Sequence, residues 1–254
     1  MIEICAIASG SNGNCYYVGN GEEGVLVDVG ISRRQVMERM AVQKLNPDKI
    51  KAILISHEHA DHFRGVRVLS KKLGVPVYMT KKSFEKSWGP NRPEKIILFQ
   101  PGEVIGCGGF RIHTFLKNHD AAEPCSFRIE HKGINVGVFT DIGSPCDNVT
   151  RELNQCHALF LEANYDDDML WAGPYPQHLK IRVAGEKGHL SNKQAFELLE
   201  NHRHDQLKVV FLSHLSGENN TPNRAASAFK SLESIVEIKV TNRYAVGEVY
   251  RLSF

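Results

Sequence analysis

Apolar residues along this chain come in short runs or alternate with polar ones, and glycine, proline, serine or asparagine closes most runs. Period-two alternation and short apolar runs mark strands, whereas recurrence at three- and four-residue spacing marks helices. Residues 2–8 and 15–19 read as strands joined by Ser9–Asn14. Those turn formers suit a plain hairpin turn, although a loop so rich in Gly, Ser and Asn can also offer amides to an anion. Val25–Val27 is a buried strand ending at Asp28, and residues 31–41 suit a helix with Ile31, Val36 and Met40 on one face. Ile53–Ile55 is another buried strand, after which Phe63, Val66, Leu69 and Leu73 recur at helical spacing up to Gly74, a helix stop.

Val75–Met79 supplies a further strand, and the stretch from Trp88 to Pro93, with two prolines, a loop. Ile96–Phe99, Val104–Ile105 and Phe110–Phe115 follow as strands, and Phe127–Glu130 and Asn135–Thr140 pair around Lys132-Gly133. The run Ala158–Leu161 ends at Glu162, and Asp166, Asp167 and Asp168 open a short helix, where the macrodipole favours acids. Residues 171–182 read as a loop carrying aromatics and cations. Ser191-Asn192-Lys193-Gln194 is a capping box before Ala195, Leu198 and Leu199. Val209–Leu212 is a strand, Thr221-Pro222 starts a helix over 222–234, and residues 235–240 and 244–253 form a terminal strand pair. Strands and helices alternate without repeat or linker, which predicts an α/β fold in a single domain over residues 1–254.

Several strands end in a residue of metal-ligating type: His57, His119, Asp141 and His214. The densest case is His57-Glu58-His59-Ala60-Asp61-His62, at the turn from strand to helix. With the backbone extended through the motif, period-two geometry puts His57, His59 and Asp61 on one side, and the helix start redirects His62. Packing three imidazoles and a carboxylate together desolvates polar groups that only a cation satisfies. The remaining histidines, 113, 131, 157, 178, 202 and 204, fall within element patterns or surface loops and read as structural or solvated.

The formal charge is +2, from 31 basic and 29 acidic residues, which excludes the strongly basic balance of a dedicated nucleic-acid binder. Basic pairs at Arg33-Arg34, Lys71-Lys72 and Lys81-Lys82, and Lys180, Arg182 and Lys187, read as solvated faces. Six cysteines without a Cys-x-x-Cys pair read as buried free thiols and take no ligand role. No run of 18 apolar residues and no basic leader is present, so a cytoplasmic protein with no membrane contact is expected.

The pattern His-x-His-x-Asp-His resembles the signature of the metallo-β-lactamase superfamily in its two-metal hydrolases. Further stretches narrow the resemblance: Ser9-Gly10-Ser11-Asn12-Gly13-Asn14-Cys15, His119-Asp120-Ala121-Ala122-Glu123-Pro124, Leu161-Glu162-Ala163-Asn164, Gly188-His189-Leu190-Ser191-Asn192 and the run from His214 to Pro222. Together they are similar to the YycJ-like (WalJ) branch, described as phosphodiesterases or exonucleases acting on DNA. That resemblance implies a four-layer αβ/βα sandwich and two divalent metal ions, Zn²⁺ first, with Mn²⁺ or Fe as alternatives. It places His57, His59 and His119 on one ion and Asp61, His62 and His214 on the other, with Asp141 bridging. Asp120 is the alternative to His119, Asp28 is expected to buttress the metal loop, and Glu162 is a candidate to orient a ligand.

Seven ligands are too many for a closed structural zinc site, which takes four. Two ions about 3.5–4 Å apart instead acidify a water and stabilise both oxygens of an in-line displacement. The expected activity is hydrolysis of DNA phosphodiesters, with Asp61 and His189 taking part in the chemistry. The stretch around His189 resembles the second histidine motif of ribonuclease Z-type phosphodiesterases. His189 precedes a capped helix whose amides favour a phosphate, and its imidazole suits proton donation to a leaving oxygen. Two other readings remain: hydrolysis of a small phosphodiester, ester or thioester, and a non-catalytic metal-dependent binding module.

Overall fold

The computed structural model describes residues 1–87 and 89–253, so Trp88 of the proline-rich loop lies outside the described residues. The first half of the chain builds β1 (Ile2–Ala8), β2 (Cys15–Gly19), β3 (Gly24–Val27), β4 (Ile50–Leu54), β5 (Val77–Thr80) and β6 (Ile96–Phe99). Helices α1 (Arg33–Val42), α2 (Ala60–Phe63), α3 (Val66–Leu73) and α4 (Lys81–Lys86) lie between them. The second half builds β7 (Val104–Cys107), β8 (Phe110–Leu116), β9 (Cys125–His131), β10 (Ile134–Phe139), β11 (Ala158–Glu162), β12 (Val209–Ser213) and β13 (Glu237–Val240). Its helices are α5 (Asp147–Leu153), α6 (Asp167–Ala172), α7 (Gln177–Ala184), α8 (Asn192–His202) and α9 (Pro222–Ala228), and β14 (Tyr250–Leu252) ends the chain's regular structure. The strands form two mixed seven-stranded sheets, ordered β14-β1-β2-β3-β4-β5-β6 and β13-β12-β11-β10-β9-β8-β7.

Period two decides which face each side chain joins. In β1, Ile2, Ile4 and Ala6 enter the core between the sheets, whereas Cys5 and Ile7 join the outer core under α1 and α3. In β11, Ala158 and Phe160 point inward, while Leu159 and Leu161 pack outward with residues of α5, α8 and α9. Central strands covered on both faces read as unbroken apolar runs. The result is the expected four layers, helix, sheet, sheet and helix. Phe160 sits at the middle, its ring 4.9 Å from Tyr16 and 4.9 Å from Phe211. Truncating it to alanine costs about 3–5 kcal/mol.

Four expectations need correction. The last two strands do not pair with each other. β13 runs parallel to β12, and β14 runs antiparallel to β1, with residues 241–249 crossing between the sheets. Each strand extends the edge of a different sheet, a choice that alternation cannot encode. The helical pattern from Phe63 to Leu73 is split at Gly65, which must be glycine because a Cβ there would lie 2.0 Å from the Ile31 carbonyl oxygen. Gly74 closes α3 as expected, with φ 71°. Residues 171–182 are not a loop throughout, because α7 begins at Gln177. Its Leu179, Ile181 and Val183 are spaced by two, which masked the helix in the sequence. The helix expected over 222–234 ends at Ala228 and passes into a 3₁₀ turn at Lys230–Leu232.

Candidate metal centre

The ends of three central strands turn by the same device. Asp28 after β3, Asp141 after β10 and His214 after β12 have left-handed backbones, with φ of 61°, 54° and 57°. Each such non-glycine residue costs about 1–3 kcal/mol, so the surroundings must hold it. The Lys117 ammonium, itself buried, donates to the Thr140 carbonyl, 2.6 Å away. The His214 amide donates to Ser9 Oγ at 2.9 Å, and Asn164 Nδ2 donates to the His214 carbonyl at 2.8 Å.

The histidine-rich motif leaves β4 through Ile55 and Ser56 and is extended up to His59, but α2 already starts at Ala60. Asp61 therefore enters from the first helical turn, not from an extended segment, and still reaches the same cluster. Asp28 holds the motif from beneath, as expected. Its Oδ1 accepts the Ser56 amide, and its Oδ2 accepts Ser56 Oγ and His62 Nδ1, all at 2.8 Å. Ser56 Oγ in turn accepts from His57 Nδ1 at 2.9 Å.

These bonds choose the ring nitrogen that each histidine presents. Nδ1 of His57, His62, His119 and His214 is spent on Ser56, Asp28, the Gly188 carbonyl and Glu162, respectively. Their Nε2 atoms are left facing the centre. His57 Nε2 lies 3.1 Å and His119 Nε2 lies 3.4 Å from His59 Nδ1. On the other side His62 Nε2 is 3.2 Å from Asp61 Oδ2 and 3.1 Å from Asp141 Oδ2, and His214 Nε2 is 3.4 Å from Asp61 Oδ2. Two groups meet here, His57, His59 and His119, and Asp61, His62, Asp141 and His214, and a third, Asp141, Glu162, His189 and His214, shares two residues with the second; each group's ligand atoms lie within 4.8 Å of one another. Asp141 Oδ1 is 3.8 Å from His119 Nε2, so its carboxylate spans both groups. Asp120 lies beside His119 but is ion-paired to Arg182 at 2.7 Å and is outside both groups.

This donor set fits divalent cations. Burial and the neighbouring His62 hold His57 well below the ordinary imidazole range, and burial brings His119 down to about 4, against the pull of Asp141. Both are neutral rings with a free lone pair. Burial also opposes charge on His214, but Asp141, Asp61 and Glu162 outweigh it and raise it to about 10. Burial opposes ionisation of Asp141 too, yet His214 and His62 keep its carboxyl well below the usual range. One oxygen of that carboxylate, Oδ2, is buried without a hydrogen bond. Among the described residues, the only ring nitrogen the ion pairs place beside it is His62 Nε2, 3.1 Å away and itself facing the centre, so a cation there would serve both atoms.

Glu162 is more central than the sequence indicated. Fully buried, it accepts His214 Nδ1 and His189 Nδ1 on Oε1, each at 2.8 Å, and the amides of Ile142 and Leu190 on Oε2. Its four bonds leave it an orienting acceptor, and it forms the third group with Asp141, His189 and His214. His189 keeps 22% of its side chain exposed, its ring 5.3 Å from that of His119 and 5.2 Å from that of His214. The helix behind it is less available than expected. The Asn192 amide donates to the Tyr165 carbonyl, and the Gln194 amide closes the capping box on Ser191 Oγ. The imidazole, not those amides, faces the centre.

Sequence reasoning missed Asn14. Its Nδ2 lies 3.3 Å from Asp61 Oδ2 and 3.1 Å from His62 Nε2, while its Oδ1 accepts the Gly10 amide and the Tyr16 hydroxyl. The Ser9–Asn14 loop does connect a hairpin, as expected, but its last residue also braces the metal motif. No spacing in the sequence links position 14 to position 61. Most of the basic residues singled out earlier are engaged: Arg34 with Glu38, Lys71 with Glu94, Lys82 with Glu123, and Lys180 with the Trp171 carbonyl.

Comparison with known proteins identifies the family. The model of the Beta-lactamase superfamily domain matches residues 24–215. The exodeoxyribonuclease YycJ of Bacillus anthracis is 31% identical over 254 residues, covering 99% of this chain and 94% of its own. The exodeoxyribonuclease WalJ of Streptococcus pneumoniae is 32% identical over 219 residues, 84% of this chain and 81% of its own. The metallo-β-lactamase fold protein YhfI from Bacillus subtilis superposes with a TM-score of 0.74 at 18% identity, over 98% of this chain and 100% of that one. On the match through both halves of the centre and on these relatives, the chain belongs to the β-lactamase superfamily, as a metal-dependent hydrolase of the metallo-β-lactamase fold in the group of the YycJ and WalJ proteins.

Proposed function

We propose that this protein is a two-metal phosphodiesterase that degrades DNA as an exonuclease. The observation that carries the reading is the pairing of a seven-residue donor set with His189, a half-open imidazole that is held beside the donors without completing either group. The names of the two relatives, both exodeoxyribonucleases, supply the substrate class. His57, His59 and His119 would hold one ion, Asp61, His62 and His214 the other, and Asp141 both. A mostly imidazole set suits Zn²⁺, with Mn²⁺ or Fe as alternatives. When bound, two such ions acidify a water and offset the charge that builds on the phosphoryl oxygens.

The chain's own residues divide the remaining work. Asp28, Ser56 and Glu162 fix the rings so that Nε2 faces the centre, and Asn14 Nδ2, donating to Asp61 Oδ2, holds that carboxylate in the cluster. Asp61, with 26% of its side chain exposed the most open carboxylate of the two groups, would take up a proton from an attacking water. Glu162 accepts from His189 Nδ1 and so leaves Nε2 to donate a proton to the departing oxygen or to hold the phosphoryl group.

The test is to load the protein with Zn²⁺ or Mn²⁺ and assay it on single- and double-stranded DNA, RNA and bis(p-nitrophenyl) phosphate. Stepwise release of nucleotides from DNA ends is the expected result. Cleavage of only the small ester would favour a small-molecule hydrolase, and no hydrolysis with any metal would favour a binding module.

A further inference from the structure

Two of the singled-out loops, Ser9–Cys15 and the segment after His214, close on a side chain with no role in the mechanism above, that of Arg243. Its guanidinium lies between Gly10 and Gly217. A Cβ on Gly10 would come within 3.2 Å of it, and one on Gly217 within 3.1 Å. Nη1 donates to Ser11 Oγ at 3.0 Å and to the Leu215 carbonyl at 3.1 Å. Leu215 directly follows His214, so the cation is fixed one residue from the metal centre. Both Nη1 hydrogens are spent there. The Nε and Nη2 edge, whose two parallel N–H groups match a phosphate, bonds nothing among the described residues, and no carboxylate there pairs with the charge. Arg182 and Lys82, by contrast, are already neutralised by Asp120 and Glu123.

The neighbouring residue is presented just as deliberately. Asn242 Oδ1 accepts the amides of Tyr244 and Ala245 at 2.7 and 2.9 Å, and Arg39 Nη2 donates to the Tyr244 carbonyl at 2.9 Å. The backbone is pinned, yet Tyr244 is 79% exposed. Arg243 and Tyr244 line one cavity of about 280 Å³ together with Ser9, Leu215 and Ser216.

We propose that this cavity is a nucleotide subsite, in which the free edge of Arg243 binds the phosphate next to the scissile one and the Tyr244 ring stacks on a base. The proposal rests on the phosphodiesterase reading. A cation on the backbone and an aromatic face for the base bind a strand without reading its sequence, as an exonuclease without sequence preference requires.

The experiment compares Arg243→Gln and Tyr244→Ala with the parent, all metal-loaded, on single-stranded DNA and on bis(p-nitrophenyl) phosphate, which has no flanking nucleotide. Each change should raise the KM for DNA about tenfold and raise that for the small ester much less, with kcat largely kept. For DNA, the slope of log KM against log salt should fall by about one in Arg243→Gln and stay unchanged in Tyr244→Ala. Equal losses on both substrates, or an unaltered salt slope in Arg243→Gln, would make Arg243 only a brace between loops and overturn the subsite. DNA cleavage with parental KM in both variants would overturn the subsite alone, whereas a parent that cleaves no DNA would remove the phosphodiesterase reading beneath it.

Discussion

Glu162 and His214 lie 2.8 Å apart, carboxylate oxygen to Nδ1, with both side chains withdrawn from solvent. They come from adjacent parallel strands in which Glu162 is opposite Ser213, so the pair is fixed by sheet register. The same oxygen receives His189, and Glu162→Gln would replace one acceptor of this fork with a donor. We expect a 10- to 100-fold loss of activity or metal affinity, the usual effect of removing a group that orients a ligand. A metal titration and a kcat measurement on the same preparation check it, and wild-type values in both would show that the rings orient themselves.

Metal content is the next expectation. Saturated protein should carry two ions per chain by elemental analysis. Asp141→Ala should weaken both sites together because its carboxylate reaches both groups, whereas His214→Ala should mainly weaken one. Equal loss of both ions in the two variants would contradict the division.

His189→Ala should lower turnover on DNA by about 10²- to 10⁴-fold, the span of general acid–base catalysis, while metal content stays at the parental level. A lost ion in this variant would make His189 a ligand instead, and near-normal turnover would remove it from the mechanism.

Gly30 tests how the motif is seated. A Cβ there would fall 1.5 Å from the Asp61 carbonyl oxygen and 2.7 Å from the Asn14 amide nitrogen, both backbone atoms that cannot step aside. Gly30→Ala should displace Asp61 and weaken the ion held by Asp61, His62 and His214 more than the other. Gly106→Ala, where a Cβ meets nothing within 4 Å, is the control and should bind both ions normally. Calorimetric metal titrations of the two variants would decide.

The thiols give a simple check on the core. Five of the six cysteines are buried, and burial pushes the Cys5 and Cys125 thiols up to about 12. Only Cys146 is partly exposed. A chromogenic disulfide at neutral pH should therefore label one thiol quickly in the native protein and all six in denaturant. Fast labelling of several would indicate a looser core than the packing described.

The sequence by itself determined the strands, their burial on both faces, the capping box at Ser191 and the residues able to hold metal. Those features depend on local periodicity and on residue types whose chemistry is the same in any fold. His57, His59 and Asp61 were legible because their spacing is short, and His119, Asp141 and His214 because each follows an apolar run. Tertiary structure alone decided what meets what. Asn14 reaches Asp61 across 47 positions, and Arg243 reaches Ser11 across 232. It also parted the two last strands between different sheets, put Glu162 under two histidines and committed the Asn192 and Gln194 amides of α8 to Tyr165 and Ser191. Each of these outcomes follows from sheet order and register, which set distances between residues remote in the chain and leave no periodic trace along it.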